Sequence, residues 1–238
     1  MATQSKYTRA KKKSSRKLTR KNTHPLKIIG ITVCVNYDDI LGHMLEQNLK
    51  FLHKWLIVTK KDDKKTIDMV EKCGNKKLKL LFYDGFYKNG AKFNFGGARL
   101  FAQNYIEKNY SSANVLMLDS DIYLPDNFAE KLPISLKDDY LYGIERIDYW
   151  TLKDFNTESN PHTPEAGPFC GFFQMYKQNP KYKYKDSLTA AECDIIFRQM
   201  FDKKKRIKLD IYAKHLGQNG ANWSGRKYED GVFYTEDK

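Results

Sequence analysis

The sequence predicts an α/β fold built on a largely parallel central sheet. Two observations predict it. Short aliphatic or β-branched runs alternate with stretches of helical periodicity through the first half. Asp, Asn and Gly stand between them, where helices are capped and turns made. With 238 residues, 41% of them hydrophobic and 14% aromatic, the chain is long enough to bury a sizeable core.

Ile28 to Val35 is a β-branched run that reads as a first strand. Leu41, Met44, Leu45, Leu49 and Leu52 follow at helical spacing, with Asp38 or Asp39 as cap. Trp55 to Thr59 reads as a second strand. Asp62 or Asp63 then caps a helix that ends near Gly74. Leu78 to Tyr83 gives a third strand. Asn94 opens a helix whose inner face carries Ala98, Phe101, Tyr105 and Ile106, and Val115 to Leu118 is a fourth strand. The first half therefore reads βαβαβαβ, an architecture in which ligands collect at the carboxyl ends of the strands.

The second half is less regular. Residues 151–168 hold three prolines and several polar residues and read as a long loop. Phe169 to Tyr176 suggests a strand with Gly171 inside it. Ala190 to Phe201 reads as a helix with Ile196, Phe197 and Met200 on one face, opened by the capping box Thr189-x-x-Glu192. Arg206 to Tyr212 alternates like a strand. His215-Leu216-Gly217 leads into a glycine-rich stretch read as a mobile loop.

The net charge is +13, and nine of the cations lie in residues 1–24, which hold no acid. The remainder carries +4, an ordinary value. The tail has no apolar stretch, so it reads as neither a signal peptide nor a membrane span. It suits a solvated arm and, functionally, contact with a polyanion such as nucleic acid, acidic glycan or anionic membrane. A transit peptide is a further reading, against which stands the lack of an amphipathic apolar face. Cys34, Cys73, Cys170 and Cys193 are scattered without a C-x-x-C pair. They suggest no zinc site or disulfide framework, and reduced thiols in a cytoplasmic protein are the simplest reading. Cys34 reads as a packing residue.

The most informative motif is Val115-Leu116-Met117-Leu118-Asp119-Ser120-Asp121. An apolar strand delivers two carboxylates to its end. Hard oxygen ligands suit Mg2+ or Mn2+, which bind one or two carboxylates plus substrate phosphates. Acids are also common in turns, so the triplet alone leaves both readings open.

Several features taken together resemble a GT-A glycosyltransferase of the broad family 2-like type. They are the first strand ending Val-Asn-Tyr (35–37), the segment Asn-Gly-Ala-Lys-Phe-Asn-Phe-Gly-Gly-Ala-Arg (89–99), Asp-Ser-Asp (119–121), an acid on a late helix, and a His-Leu-Gly stretch. The resemblance covers most of residues 27–226. It implies a GT-A, Rossmann-like, mostly parallel sheet flanked by helices, with a smaller acceptor-side subregion towards the C-terminus. It also implies an arm over 1–25, one catalytic domain over 26–230 and a tail over 231–238. The domain divides into a nucleotide-sugar half (26–125) and an acceptor-side half (126–230).

By the same resemblance, Asp119, Asp121 and His215 hold Mn2+ or Mg2+, with Asp121 the more direct ligand. Asn36, Tyr37, Thr59 and Asp84 meet the base and ribose. Lys92, Asn94, Arg99, Ser120 and Trp223 complete the nucleotide-sugar site, where Asn222 and Arg226 could also contact the sugar or phosphates. Several have structural readings beside these: Asn94 is a natural N-cap, Arg99 can pair with a carboxylate inside the fold, Asp84-Gly85 is a turn signal, and Trp223 can pack a loop. Asp194 is the candidate general base of an inverting transfer, because the capping box gives Glu192 a structural task. The family often has an adjacent acidic pair where this chain has Glu192-Cys193-Asp194. Phe169 to Phe173 lines the acceptor side or belongs to the core.

The implied function is transfer of a sugar from a nucleoside diphosphate sugar, UDP-hexose by default, to a hydroxyl on a glycan, protein, lipid or modified DNA base. A nucleotidyltransferase is disfavoured, since Asn36-Tyr37-Asp38-Asp39 stands where a Gly-rich basic loop belongs. The alternative from another class is a nucleic-acid-binding protein acting through the basic arm.

Overall fold

The computed structural model describes residues 26–217 except 111 and 165, and the backbone of two short strands further on. The basic arm, Asn222 and Trp223 lie outside the described residues, as does the side chain of Arg226.

The first half follows the alternating order. It runs β1 (Ile28–Val33), α1 (Asp38–Leu49), β2 (Lys54–Thr59), α2 (Lys64–Cys73), β3 (Leu78–Phe82), α3 (Phe95–Asn109) and β4 (Asn114–Leu118). Of these strands, β1, β2 and β4 are mainly apolar because both sheet faces are covered. Alternate residues enter opposite cores. Trp55, Ile57, Leu116 and Leu118 join Leu41 and Met44 of α1. Leu56, Val58, Val115 and Met117 join Ala98, Ala102 and Ile106 of α3. Cys34 is fully buried, and burial pushes its thiol pKa far above the ordinary value.

The remainder holds β5 (Ile122–Tyr123), α4 (Phe128–Lys131), β6 (Leu141–Tyr149), α5 (Leu152–Thr157), β7 (Phe173–Lys177), α6 (Cys193–Gln199) and β8 (Arg206–Leu216). β9 (Arg226–Glu229) and β10 (Val232–Thr235) form a separate antiparallel pair. The main sheet has the order β3-β2-β1-β4-β7-β6-β8-β5. Its β3-β2-β1-β4 half is parallel. β7 runs antiparallel to both β4 and β6, and β8 runs parallel to β6. β4, β6 and β8 therefore point the same way, and their carboxyl ends share one edge with those of β1 to β3. The result is an α/β, mostly parallel central sheet flanked by helices, consistent with a Rossmann-like GT-A fold.

Caps explain several boundaries. Asp63 caps α2 by accepting from the Thr66 amide (3.2 Å), and Gly74 closes that helix in the left-handed region (φ 61°). Asn94 caps α3 by accepting from the Gly97 amide (2.8 Å). A Cβ at Gly96 would collide with the Lys185 carbonyl oxygen. The glycine thus lets α3 start against the 185–187 segment, where its amide donates to Ser187 Oγ (3.0 Å).

Other expectations are corrected. Neither Asp38 nor Asp39 caps α1; both sit in its first turn behind Tyr37, favoured there by the helix dipole. Phe101 of α3 is exposed, because Arg99 and Gln103 take the inner positions and satisfy their polar groups there. The 151–168 stretch contains α5, capped by Thr151. Gly171 precedes β7 rather than lying in it. The Thr189–Glu192 capping box does not form: α6 begins at Cys193, and Glu192 lies before it in the left-handed region (φ 73°) without a side-chain cap bond. β8 runs on to Leu216, so His215 is a strand residue, not a loop residue. No helix among the described residues is long and apolar enough to cross a membrane.

Candidate functional site

The carboxyl edge of the sheet gathers two polar chains, the first buried and the second partly so. The first joins three strands. Asp121 follows β4, His215 ends β8, and Arg146 and Asp148 lie two residues apart on β6. His215 Nε2 faces Asp121 Oδ2 (3.3 Å), and its Nδ1 faces Asp148 Oδ1 (2.9 Å). Asp148 in turn meets Arg146 Nε (2.9 Å). The backbone fixes these distances, since the Leu216 amide donates to the Asp121 carbonyl (3.0 Å) and β6 pairs Asp148 with His215. All four side chains are buried.

The second chain runs from Asp119 to Asp194. Arg99, on the inner face of α3, donates from Nη2 to Asp119 Oδ1 (2.7 Å) and to the Gly171 carbonyl (2.8 Å), and from Nη1 to the Tyr184 hydroxyl (3.0 Å). The Gly171 amide donates to Asp194 Oδ2 (2.7 Å). Gln174 donates to the Asp194 carbonyl (3.1 Å) and accepts from the Tyr184 hydroxyl. Gly171 is thus a backbone relay between cation and carboxylate. A Cβ there would stand 3.0 Å from Asp194 Cβ and 3.2 Å from Arg99 Nη1, tighter than ordinary contact.

The electrostatics favour a cation. Burial raises the Asp119 pKa; Arg99 opposes the rise, and nearby Asp121 and Asp194 add to it. Carboxylates gathered in one place repel, and a dication reverses that logic. Burial works against a charged His215, but Asp121 and Asp148 outweigh it and raise its pKa above the ordinary value.

The residues fit a hard divalent ion. A histidine whose far nitrogen is held by a buried carboxylate is the usual arrangement of an imidazole ligand, and Asp148 supplies that support. Adjacent ligand atoms on an ion at about 2.1 Å stand about 3 Å apart, close to the separation of His215 Nε2 and Asp121 Oδ2. No three His, Cys, Asp or Glu side chains among the described residues converge as a ready-made cage. Mg2+ and Mn2+ sites that use one or two protein ligands complete their shell with water and substrate phosphate.

The structure distributes the other expected residues unevenly. Tyr37 is buried in the core at the start of α1, which leaves no ring face for a base. Thr59 is fully buried and donates to Asp63 Oδ2 (2.8 Å), so its hydroxyl is committed. Asn36 is exposed, and its amide donates to the same carboxylate oxygen (2.9 Å). Asp84 is exposed beside Lys61 (3.4 Å). Lys92 is exposed, with its amide on the Leu188 carbonyl. Asn94 is consumed as cap and clasp, donating to Asp186 (2.8 Å) and Tyr83 (3.2 Å) and accepting from the Ser187 amide (2.9 Å). Ser120 is buried in the turn between the two acids. Phe172 and Phe173 belong to the core, which removes them as acceptor-stacking rings.

Four contributors were not foreseen: Arg146, Asp148, Asp63 in its strand-end role, and Tyr87. Tyr87 lines a shallow cleft of about 290 Å³ at the ends of β2 and β3, with Lys60, Lys61, Asp84 and Lys88. The alternation Glu145-Arg146-Ile147-Asp148 was the available signal for β6, since it sets Arg146 and Asp148 on one face.

No family model and no curated protein matches the sequence. Among solved structures, a mycobacterial protein is similar with TM-score 0.49 and 11% identity over 80% of this chain; the chain spans 65% of its length. The 4-diphosphocytidyl-2C-methyl-D-erythritol synthase of Anaerococcus prevotii is similar with TM-score 0.48 and 13% identity, over 82% of this chain and 90% of that one. Apo mouse xyloside xylosyltransferase 1 gives TM-score 0.32 and 11% identity over 63% and 66%. Likenesses of this strength carry no argument about activity, so the chemistry rests on the side chains.

Proposed function

We propose that this chain is a metal-dependent glycosyltransferase that moves a sugar from a nucleoside diphosphate sugar, UDP-hexose by default, to a hydroxyl acceptor. The observation that carries the reading is the Asp121–His215 pair backed by Asp148 and Arg146 at the carboxyl edge of the sheet. Asp121 and His215 would hold Mn2+ or Mg2+, with Asp119 beside them. Such an ion supplies charge stabilisation to a departing diphosphate. Arg99 fixes Asp119, and Asp148 fixes the ring of His215. The cleft between Lys60, Asp84 and Tyr87 is where the base would rest, with Tyr87 in the stacking role that the buried Tyr37 is unable to fill.

Asp194 takes the proton from the acceptor hydroxyl, which makes the transfer inverting. It is partly exposed, and the Gly171 amide aims its carboxylate. Asp194 is preferred to Glu192 because its carboxylate shares the Gly171 relay with Arg99, while Glu192 makes no cap bond.

A thermal-shift screen of nucleotide sugars, each with and without Mn2+, tests the reading. A donor at a hundred times its dissociation constant stabilises the native state by about 2.7 kcal/mol. At least one UDP-sugar is expected to raise the melting temperature only when Mn2+ is present. With that donor, Asp194→Asn should lower turnover by about 10² to 10⁴-fold while leaving the thermal shift unchanged. A screen in which no nucleotide sugar stabilises the protein with Mn2+ overturns the function. An Asp194→Asn enzyme at wild-type turnover overturns the base.

A further inference from the structure

We propose that Trp150, backed by His162, is the platform on which a neutral sugar ring of the acceptor stacks. This rests on the transferase reading and extends it to the acceptor's chemistry. The two rings lie face to face, with centroids 3.7 Å apart and planes 5° from parallel. Trp150 nevertheless remains 43% exposed. Trp55 provides the contrast: it is fully buried, and its Nε1 donates to Thr32 Oγ1 (2.9 Å). One exposed aromatic alone means little; its mounting and its place give it meaning.

The mounting is rigid. His162 is clipped to Asp148 by two backbone hydrogen bonds (3.0 and 2.9 Å), and the Asp148 side chain orients His215. The stack therefore hangs from the residue that supports the candidate metal ligand. The intervening loop is also built. Thr151 Oγ1 accepts from the Asp154 amide (3.1 Å), while Asp154 Oδ1 accepts from Ser159 Oγ (2.9 Å) and Asn160 Nδ2 (2.8 Å). Glu158 and Asn160 are held in the left-handed region (φ 54° and 48°). Such conformations persist where surrounding bonds over-determine them, and they recur at ligand clamps. A pre-organised ring loses little entropy when it binds.

The place fits an acceptor. Trp150 directly follows β6, on the same sheet edge as Asp119 and Asp121. β6 is two strand positions from β4, roughly 10 Å away. It lies on the side away from β2 and β3, where the donor's base would rest. The charge around this stretch of chain is balanced, which suits a neutral ring better than a nucleic acid. Asp148 is paired with Arg146 (2.9 Å) and Glu158 with Lys214 (3.3 Å). The Asp154 pKa is lowered by hydrogen bonds from Thr151, Ser159 and Asn160 and by nearby Lys153. Balanced charge gives a phosphate backbone no net attraction.

The test is a printed array of neutral and acidic glycans with single- and double-stranded oligonucleotides, probed with the full chain and with Trp150→Ala and Trp150→Phe. Melting curves verify that each variant folds. Wild type is expected to bind neutral glycans, Trp150→Ala to lose at least tenfold in signal, and Trp150→Phe to retain an intermediate level. The nucleotide-sugar thermal shift should be equal in all three. Absence of neutral-glycan binding in wild type, or its full retention in Trp150→Ala, overturns the proposal. So does binding of oligonucleotides alone that is lost with the indole. Glycan binding that depends on Trp150 in a protein that no nucleotide sugar stabilises upholds the platform and overturns the transferase reading instead.

Discussion

Asp121→Asn is expected to abolish Mn2+ binding at the site and to lower sugar transfer by at least about a hundredfold, because charge stabilisation of a departing diphosphate by a metal amounts to several kcal/mol and each 1.36 kcal/mol is tenfold in rate. The substitution is nearly isosteric. The turn before β5 is held by backbone bonds, including that from the Leu216 amide, so the fold should persist. The asparagine offers His215 Nε2 a neutral partner and offers an ion a weaker ligand. Mn2+ titration followed by electron paramagnetic resonance and by product release reads both effects. Wild-type affinity and turnover in this variant would remove Asp121 from the mechanism.

The second large effect falls on stability. Arg99→Met should destabilise the fold by about 3 kcal/mol, the lower end of the cost of breaking a buried ion pair. Arg99 is 2% exposed and serves Asp119, Gly171 and Tyr184 together. Methionine keeps the stem but leaves a carboxylate and a carbonyl without their donor. The lower end applies because the Asp119 side chain keeps 29% exposure, so water partly solvates it. Urea denaturation gives the number. A loss under about 1 kcal/mol would mean that the Asp119–Arg99 pair behaves as a surface salt bridge.

The two halves of the chain were legible to different degrees, for a physical reason. β1, β2 and β4 are covered on both faces, so their sequences are mainly apolar runs. Edge strand β3 exposes Lys79 and Phe82 but is still bounded, like the helices between, by caps such as Asp63 and Asn94. Those signals are local. β6 carries Glu145, Arg146 and Asp148, which look like exposed positions, because charged residues are seldom buried unless paired. Their partners lie far along the chain: Asp148 meets His215, 67 residues later. Pairing over that distance leaves no mark in a local pattern.

The same limit shaped the site. Asp119 and Asp121 stand out in the sequence because the apolar strand that precedes them is a local signal. Tyr37 at a strand end looked like a stacking ring, yet the Ile40-Leu41 face of α1 draws it into the core. His215 stood two residues before Gly217 and looked like part of a loop, whereas pairing with β5 and β6 extends β8 through it. Asn94 was readable both as cap and as ligand; the cap took its Oδ1 and the clasp on Asp186 its Nδ2.

The account turns on a metal seat formed by Asp121 and His215. The most direct measurement is an anomalous difference map at the manganese edge from a crystal grown with MnCl2 and UDP. The account predicts one peak within bonding distance of Asp121 and His215 Nε2, with diphosphate oxygens completing its shell and Asp148 still on His215 Nδ1. UDP bound at the strand edge with no manganese at that pair would contradict it, as would manganese bound elsewhere on the chain.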